Sequence, residues 1–160
     1  MMAMNRVEFT LVPAADADIA MMSEDGYSLG IMVDGTPLTE LARRAELDDA
    51  RADGDPNQAG GYANLIDLDL ICWPSRHFLG EPVLHWFGDG DAVVAGCNCG
   101  DYGCWPLCVQ IEVTHEHVVW RDFRNGHRTH WDLSGLGPFV FERTEYESAL
   151  RRTDRPEARP

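Results

Sequence analysis

Apolar and polar positions alternate at the start of the chain, where Val7, Phe9 and Leu11 interleave with Glu8 and Thr10, and this period of two predicts a first strand over residues 7–12. Tyr27 to Val33 reads as a second strand, stopped by the turn pair Asp34-Gly35. Thr36-Pro37 then predicts a helix start, with Thr36 as N-cap and Pro37 in the first helical position, where its missing N–H costs nothing. Leu38, Leu41, Ala42 and Ala45 recur at helical spacing, so that helix is expected to run to about Leu47. From Glu46 to Pro56 five acids (Glu46, Asp48, Asp49, Asp53, Asp55) stand against Arg51 alone, which predicts an acidic loop ahead of a docking surface, closed by Gly60-Gly61.

Residues 62–80 carry no clean period and are read as a short helix leading to Trp73-Pro74-Ser75-Arg76. Val83 to Phe87 and Ala92 to Gly96 read as strands joined by the turn Gly88-Asp89-Gly90-Asp91. Leu107 to Thr114 and His117 to Arg124 form the clearest hairpin, because pairing Ile111 with Trp120 and Val113 with Val118 gathers Val109, Ile111, Val113, Val118 and Trp120 on one face. Asn125-Gly126 and Gly135-Leu136-Gly137-Pro138 mark further turns. Thr144 with Glu147 gives a capping-box pattern opening a final helix through Tyr146, Ala149 and Leu150. The pattern as a whole predicts a single globular α+β domain over 1–152, rich in antiparallel β hairpins with two short helices, and a flexible C-terminal tail over 153–160.

Charge narrows the partners. The 160 residues carry a formal net charge of −14, and all thirteen basic residues are arginine. That balance opposes nucleic acid and anionic lipid, whose phosphates the net field repels, and it attracts a basic partner. No apolar stretch follows the opening Met1-Met2-Ala3-Met4-Asn5-Arg6, and no apolar run approaches a membrane span. A cytoplasmic protein with reduced cysteines is the expectation.

Candidate chemistry concentrates in one place. Cys97, Cys99, Cys104 and Cys108, four of the five cysteines, fall within twelve residues, with Gly100 and Gly103 between them. Reduced thiols at this spacing suit a tetrahedral zinc site, the glycines supplying the turn that lets Cys97 and Cys99 face one ion. Extending the hairpin ladder puts Cys104 opposite His127 and Cys108 opposite Phe123, so the fourth ligand is either His127, arriving across the hairpin, or Cys108. Cys72, between Ile71 and Trp73, is assigned to the core. His115-Glu116-His117 lacks the helical spacing of a metalloprotease motif and is read as a solvated hairpin tip. No deaminase, nucleophile-elbow or phosphate-loop motif occurs, and Ser75-Arg76-His77 shows no third partner for a nucleophile.

From about residue 60 onward the chain resembles a family of small uncharacterised bacterial proteins. The residues that carry the likeness are Pro74-Ser75-Arg76-His77 with Gly80, then Gly96-Cys97, Cys99-Gly100 and Gly103-Cys104-Trp105-Pro106-Leu107, then Trp120, Phe123, His127-Arg128, Gly137-Pro138-Phe139, Phe141 and Tyr146. In that family a proline usually precedes the His-Arg pair, where this chain has Gly126, and a cysteine at the place of Cys108 is not typical. The resemblance therefore implies Cys97, Cys99, Cys104 and His127 as the ligand set, and it carries no activity to transfer. The expected function is a non-catalytic interaction module with a structural zinc, binding a basic partner as an immunity-type inhibitor binds a toxin. The rival expectation is a thiol oxidoreductase using Cys97, Cys99 or Cys104, with Arg121, Arg124 and Arg128 lowering a thiol pKa.

Overall fold

A computed structural model describes residues 4–13, 26–97 and 102–154. The alternation at the start of the chain forms strand β1 (Val7–Pro13), which pairs antiparallel with β2 (Tyr27–Val33) so that Phe9 faces Ile31 and Leu11 faces Leu29. Asp34 and Gly35, at φ 53° and 82°, make the tight turn that a right-twisted hairpin favours, and the two-residue strand β3 (Thr36–Pro37) completes a three-stranded sheet. A second, four-stranded antiparallel sheet has the order β4 (Asp91–Ala95), β5 (Leu107–Val113), β6 (His117–Asn125), β7 (Phe139–Glu142). The architecture is α+β, with three helices rather than two among the described residues: α1 (Leu38–Ala52), α2 (Leu68–Ile71) and α3 (Arg143–Arg151). Among the described residues, no helix is long and apolar enough to cross a membrane.

One hydrophobic cluster joins the two sheets. Phe9 from the first sheet lies 5.1 Å from the Phe78 ring and 5.7 Å from Tyr146, while Trp120 of β6 packs at 5.5 Å on Phe141 of β7. The Trp120 indole N–H donates to the Tyr146 hydroxyl (3.0 Å), and that hydroxyl donates to the Phe78 carbonyl (2.6 Å), so no polar atom of this pair is stranded in the core. Cys72 is buried in the same cluster, as expected.

Helix α1 runs to Ala52, beyond the expected end at Leu47, and carries Glu46, Asp48 and Asp49, which the sequence placed in an acidic loop. The acids are anchored: Asp49 accepts from the Asp132 N–H (2.8 Å), and Asp53, just past the helix, accepts from the Trp131 indole N–H (2.8 Å). The helix starts one residue later than expected, with Pro37 at the cap position and no side-chain cap. Helix α3 is capped by Glu142, which accepts from the Thr144 and Glu145 N–H groups, and not by Thr144. Val83 to Phe87 is not a strand. The buried Asp91 carboxylate accepts the N–H groups of Trp86, Phe87 and Gly88, which curls that segment and takes from it the donors a ladder would use. Thr153 belongs to the folded body and not to a tail, since its buried hydroxyl oxygen accepts from the Trp73 N–H (2.8 Å); residues 155–160 lie outside the described residues.

The central hairpin keeps the expected pairs Ile111–Trp120 and Val113–Val118. Beyond Gln110–Arg121 the register slips, because Asp122 and Phe123 together oppose Val109, a β-bulge with Asp122 at φ 59°. The bulge resets the alternation, so Val118, Trp120, Phe123 and Asn125 are all buried. Cys108 then faces Arg124 and not Phe123. Aspartate tolerates the left-handed conformation and β-branched residues do not. Asp122→Gly is therefore expected to be near neutral in urea unfolding, whereas Asp122→Val should cost about 1–2 kcal/mol; equal effects would show that the bulge is not held at this residue.

Candidate functional site

Three strand ends meet at one edge of the larger sheet. Because β4, β5 and β6 are sequential antiparallel neighbours, the exit of β4, the entry of β5 and the exit of β6 lie at the same end. Cys97 follows β4 directly, after Gly96 exchanges hydrogen bonds of 2.9 and 2.6 Å with Ala63. Cys104 closes a short 3-10 turn (Tyr102–Cys104) three residues before β5. His127 stands two residues past β6. Cys97 is half-buried and Cys104 exposed. Cys99 and Gly100, which the expected site includes, lie outside the described residues. Among the described residues no group of three His, Cys, Asp or Glu side chains forms a metal-sized cluster.

The expected pairing of Cys104 with His127 is not a ladder pair, since β5 begins only at Leu107, opposite Asn125. A closer link replaces it. The His127 Nε2–H donates to the carbonyl of Gly103, the residue before Cys104, at 2.8 Å. A carbonyl can only accept, so this bond fixes the tautomer and leaves the Nδ1 lone pair for a metal, the arrangement in which a ligating imidazole donates its other N–H to a carbonyl. The donor set of thiolates and one oriented imidazole suits zinc. The Trp86 ring stands edge-on to the imidazole at 5.0 Å and donates its indole N–H to the Gly126 carbonyl (3.1 Å). Gly126 admits this packing only without a side chain: an ideal Cβ there would lie 2.4 Å from Pro106 Cγ and 2.9 Å from the Trp86 ring.

Cys108 is placed differently. It is fully buried in β5, and burial together with the Asp91 carboxylate, to which its thiol hydrogen-bonds, pushes its pKa up. A thiol that resists ionisation inside the sheet packs well and ligates poorly. His77 is also structural. Its Nδ1 accepts from the Val83 N–H (3.1 Å), its Nε2–H donates to the Val93 carbonyl (2.8 Å), and burial lowers its pKa to about 4.

Two features were missed in the sequence. The first is a groove of about 560 Å³ between α1 and the segment leading into β7. Leu41, Ala45, Leu136 and Phe139 line it with apolar surface, and Asp48, Asp49 and Asp132 stand around it against Arg44, the one cation among the described residues lining it. The only signal for it was the acidic run itself, whose helical placement was not legible.

The second is a buried carboxylate. Glu46 falls on the apolar stripe of α1, four residues from both Ala42 and Ala50, and is 0% exposed. It accepts from the Gly60 N–H (2.8 Å) and from the Tyr62 hydroxyl; Tyr62 in turn accepts from Asn125 Nδ2 (2.9 Å). Asn125 Oδ1 accepts from the N–H groups of His127 (2.7 Å) and Arg128 (2.9 Å). The i, i+4 spacing of Glu46 with Ala42 and Ala50 was its one sequence signal. No family model, curated protein or solved structure matches the chain, so the family resemblance rests on the motif residues alone.

Burial raises the Glu46 carboxyl from 4.5 to about 7, against the lowering effect of its Tyr62 and Gly60 donors and with a further push from Asp49. A raised carboxyl means the folded state takes up this proton more readily than the unfolded one. Its stabilising contribution is complete below pH 4.5 and is lost as pH rises through about 7. Asp91 acts oppositely: burial works to raise its pKa, its three N–H donors outweigh that and hold it below 3.8, and its contribution is lost on acidification. Urea unfolding across this range should show wild type losing on the order of 3 kcal/mol relative to Glu46→Gln, at roughly 1.4 kcal/mol per pH unit. Parallel profiles for the two proteins would refute the assignment.

Proposed function

We propose that this chain is a small acidic cytoplasmic interaction module, non-catalytic and stapled by a structural zinc, that binds a basic protein partner in the manner of an immunity-type inhibitor. The groove beside α1 is the observation that carries the reading. Its apolar floor would take the aliphatic stems of arginine or lysine, while Asp48, Asp49 and Asp132 meet the cationic heads. Ser134 donors hold the Asp132 carboxyl below its usual range, so it remains ionised at neutral pH. The net charge of −14 adds long-range attraction to the local match. We assign Cys97, Cys99, Cys104 and His127 as the zinc ligands. The oriented imidazole beside Cys104 supports that set over Cys108. A four-ligand shell leaves no open position for water, so the ion stabilises rather than catalyses.

The groove is tested by NMR titration with an arginine-rich peptide, with polyglutamate as the control. Shifts should concentrate at Leu41–Asp49 and Asp132–Phe139, and Asp48→Asn with Asp132→Asn should weaken binding roughly fivefold at low salt, about 0.5 kcal/mol per surface charge. Scattered shifts, or unchanged affinity in the double variant, would remove the groove from the proposal.

The metal is tested by elemental analysis. One zinc per chain is expected, lost in Cys104→Ser and in His127→Asn, and retained in Cys108→Ala. Chelation should cost about 3 kcal/mol, which lowers Tm by roughly 10 °C in a chain of this size. The exposure of Cys104 favours the rival reading, a thiol oxidoreductase. Metal-free protein with rapidly alkylated cysteines would decide for that reading and against zinc.

A further inference from the structure

The hydrogen bonds around Glu46 are built for a carboxylate in a place that resists one. Gly60 and Tyr62 both donate to it, and a carboxylate, being acceptor-only, satisfies both. Among the described residues, the groups that act on it add no cation: Asp49 stands on its own helix, Tyr62 comes from the following segment, and Cys108 of β5 acts on Tyr62. Arg43 packs its Cβ and Cγ on Gly60, but its guanidinium is committed to Glu40.

The orientation of Asn125 is fixed by its partners. Turned over, its amide group would point donors at the N–H groups of His127 and Arg128. Protonation of Glu46 disturbs this order. The new O–H needs an acceptor, and in the network that acceptor is the Tyr62 oxygen. The Tyr62 proton must then turn away from Glu46, toward a neighbour, Asn125 Nδ2, that is itself a donor. Satisfying it requires Asn125 to turn its oxygen inward, which withdraws that oxygen from His127 and Arg128.

We propose that Glu46, Tyr62 and Asn125 form a proton-responsive relay, in which proton uptake at Glu46 releases the backbone of His127 and Arg128 from Asn125. The relay joins the buried face of α1 to the loop that carries His127. It is independent of whether the groove binds a basic partner.

NMR of the full chain, titrated from mildly acidic to mildly alkaline pH, tests the relay directly. The Glu46 carboxyl carbon and the amides of Gly60, His127 and Arg128 should share one midpoint near neutrality. In Glu46→Gln that common step should vanish from all three amides. In Tyr62→Phe the Glu46 carboxyl should still titrate while the His127 and Arg128 amides no longer follow it. The relay is overturned by any of three results: Glu46 keeps one protonation state throughout; the His127 and Arg128 amides shift identically in wild type and Glu46→Gln, which assigns the shift to a group other than Glu46; or those amides still follow Glu46 in Tyr62→Phe. Should Glu46→Gln not fold, the wild-type and Tyr62→Phe titrations decide the matter alone.

Discussion

The indole N–H of Trp120 fixes how the parts of this protein dock. It lies in a fully buried ring on β6, where an unmet donor would cost about 1–3 kcal/mol. Its acceptor is the hydroxyl of Tyr146 on α3, and that hydroxyl reaches its own acceptor at the Phe78 carbonyl. One chain of two hydrogen bonds thus sets α3, β6 and the turn around Phe78 against each other, and Phe9 of the smaller sheet packs onto the same rings. With β6 held there, the bulge at Asp122 becomes necessary: it lets Phe123 and Asn125 join Trp120 on the buried side. Asn125 arrives at Tyr62, and through it is linked to Glu46, because of that reset, and His127 arrives at Gly103 just beyond it.

The buried polar side chains divide by whether their hydrogen-bond partners agree with the charge state they hold. Asp91 is buried as an anion and has three N–H donors, and it holds its charge. His77 is buried as a neutral ring, with donors on one nitrogen and an acceptor on the other, and burial keeps it neutral. In both, hydrogen bonding and charge state point the same way. Glu46 is the exception, because its two donors favour the anion but do not outweigh its burial, which favours the acid. Groups of the first kind stabilise a fold quietly across the neutral range, whereas a group of the second kind changes state within it.

What the sequence made legible was local. The β1–β2 alternation, the Asp34-Gly35 turn and the Ile111–Trp120 register all depend on periods of a few residues, and all three are present. The clustering of the cysteines was equally plain. The features missed depend on distant partners. Val83–Phe87 looked like a strand because nothing in those residues announces that Asp91 will take their N–H groups. The acids after Leu47 looked like a loop because their partners, Trp131 and the Asp132 amide, lie some eighty positions away. A bulge has no apolar period of its own; it appears only as a break in phase between Trp120 and Phe123.

Sequence distance misleads most at the candidate ligands. Cys108 is four residues from Cys104, yet it lies inside β5 with its thiol on Asp91, while His127 is far along the chain and touches the peptide next to Cys104. Antiparallel order explains the inversion. In a β4-β5-β6 meander the end of the first strand, the start of the second and the end of the third share one edge, so residues just outside the strands converge there while residues within them do not. Approach at that edge is also gated by Gly126, whose missing side chain lets Trp86 and Pro106 close over the turn. A proline here would collide with the same two rings and would lose the N–H that Gly126 donates to the Pro106 carbonyl at 2.9 Å. Packing the Trp86 indole against the imidazole at this edge therefore requires glycine before the histidine.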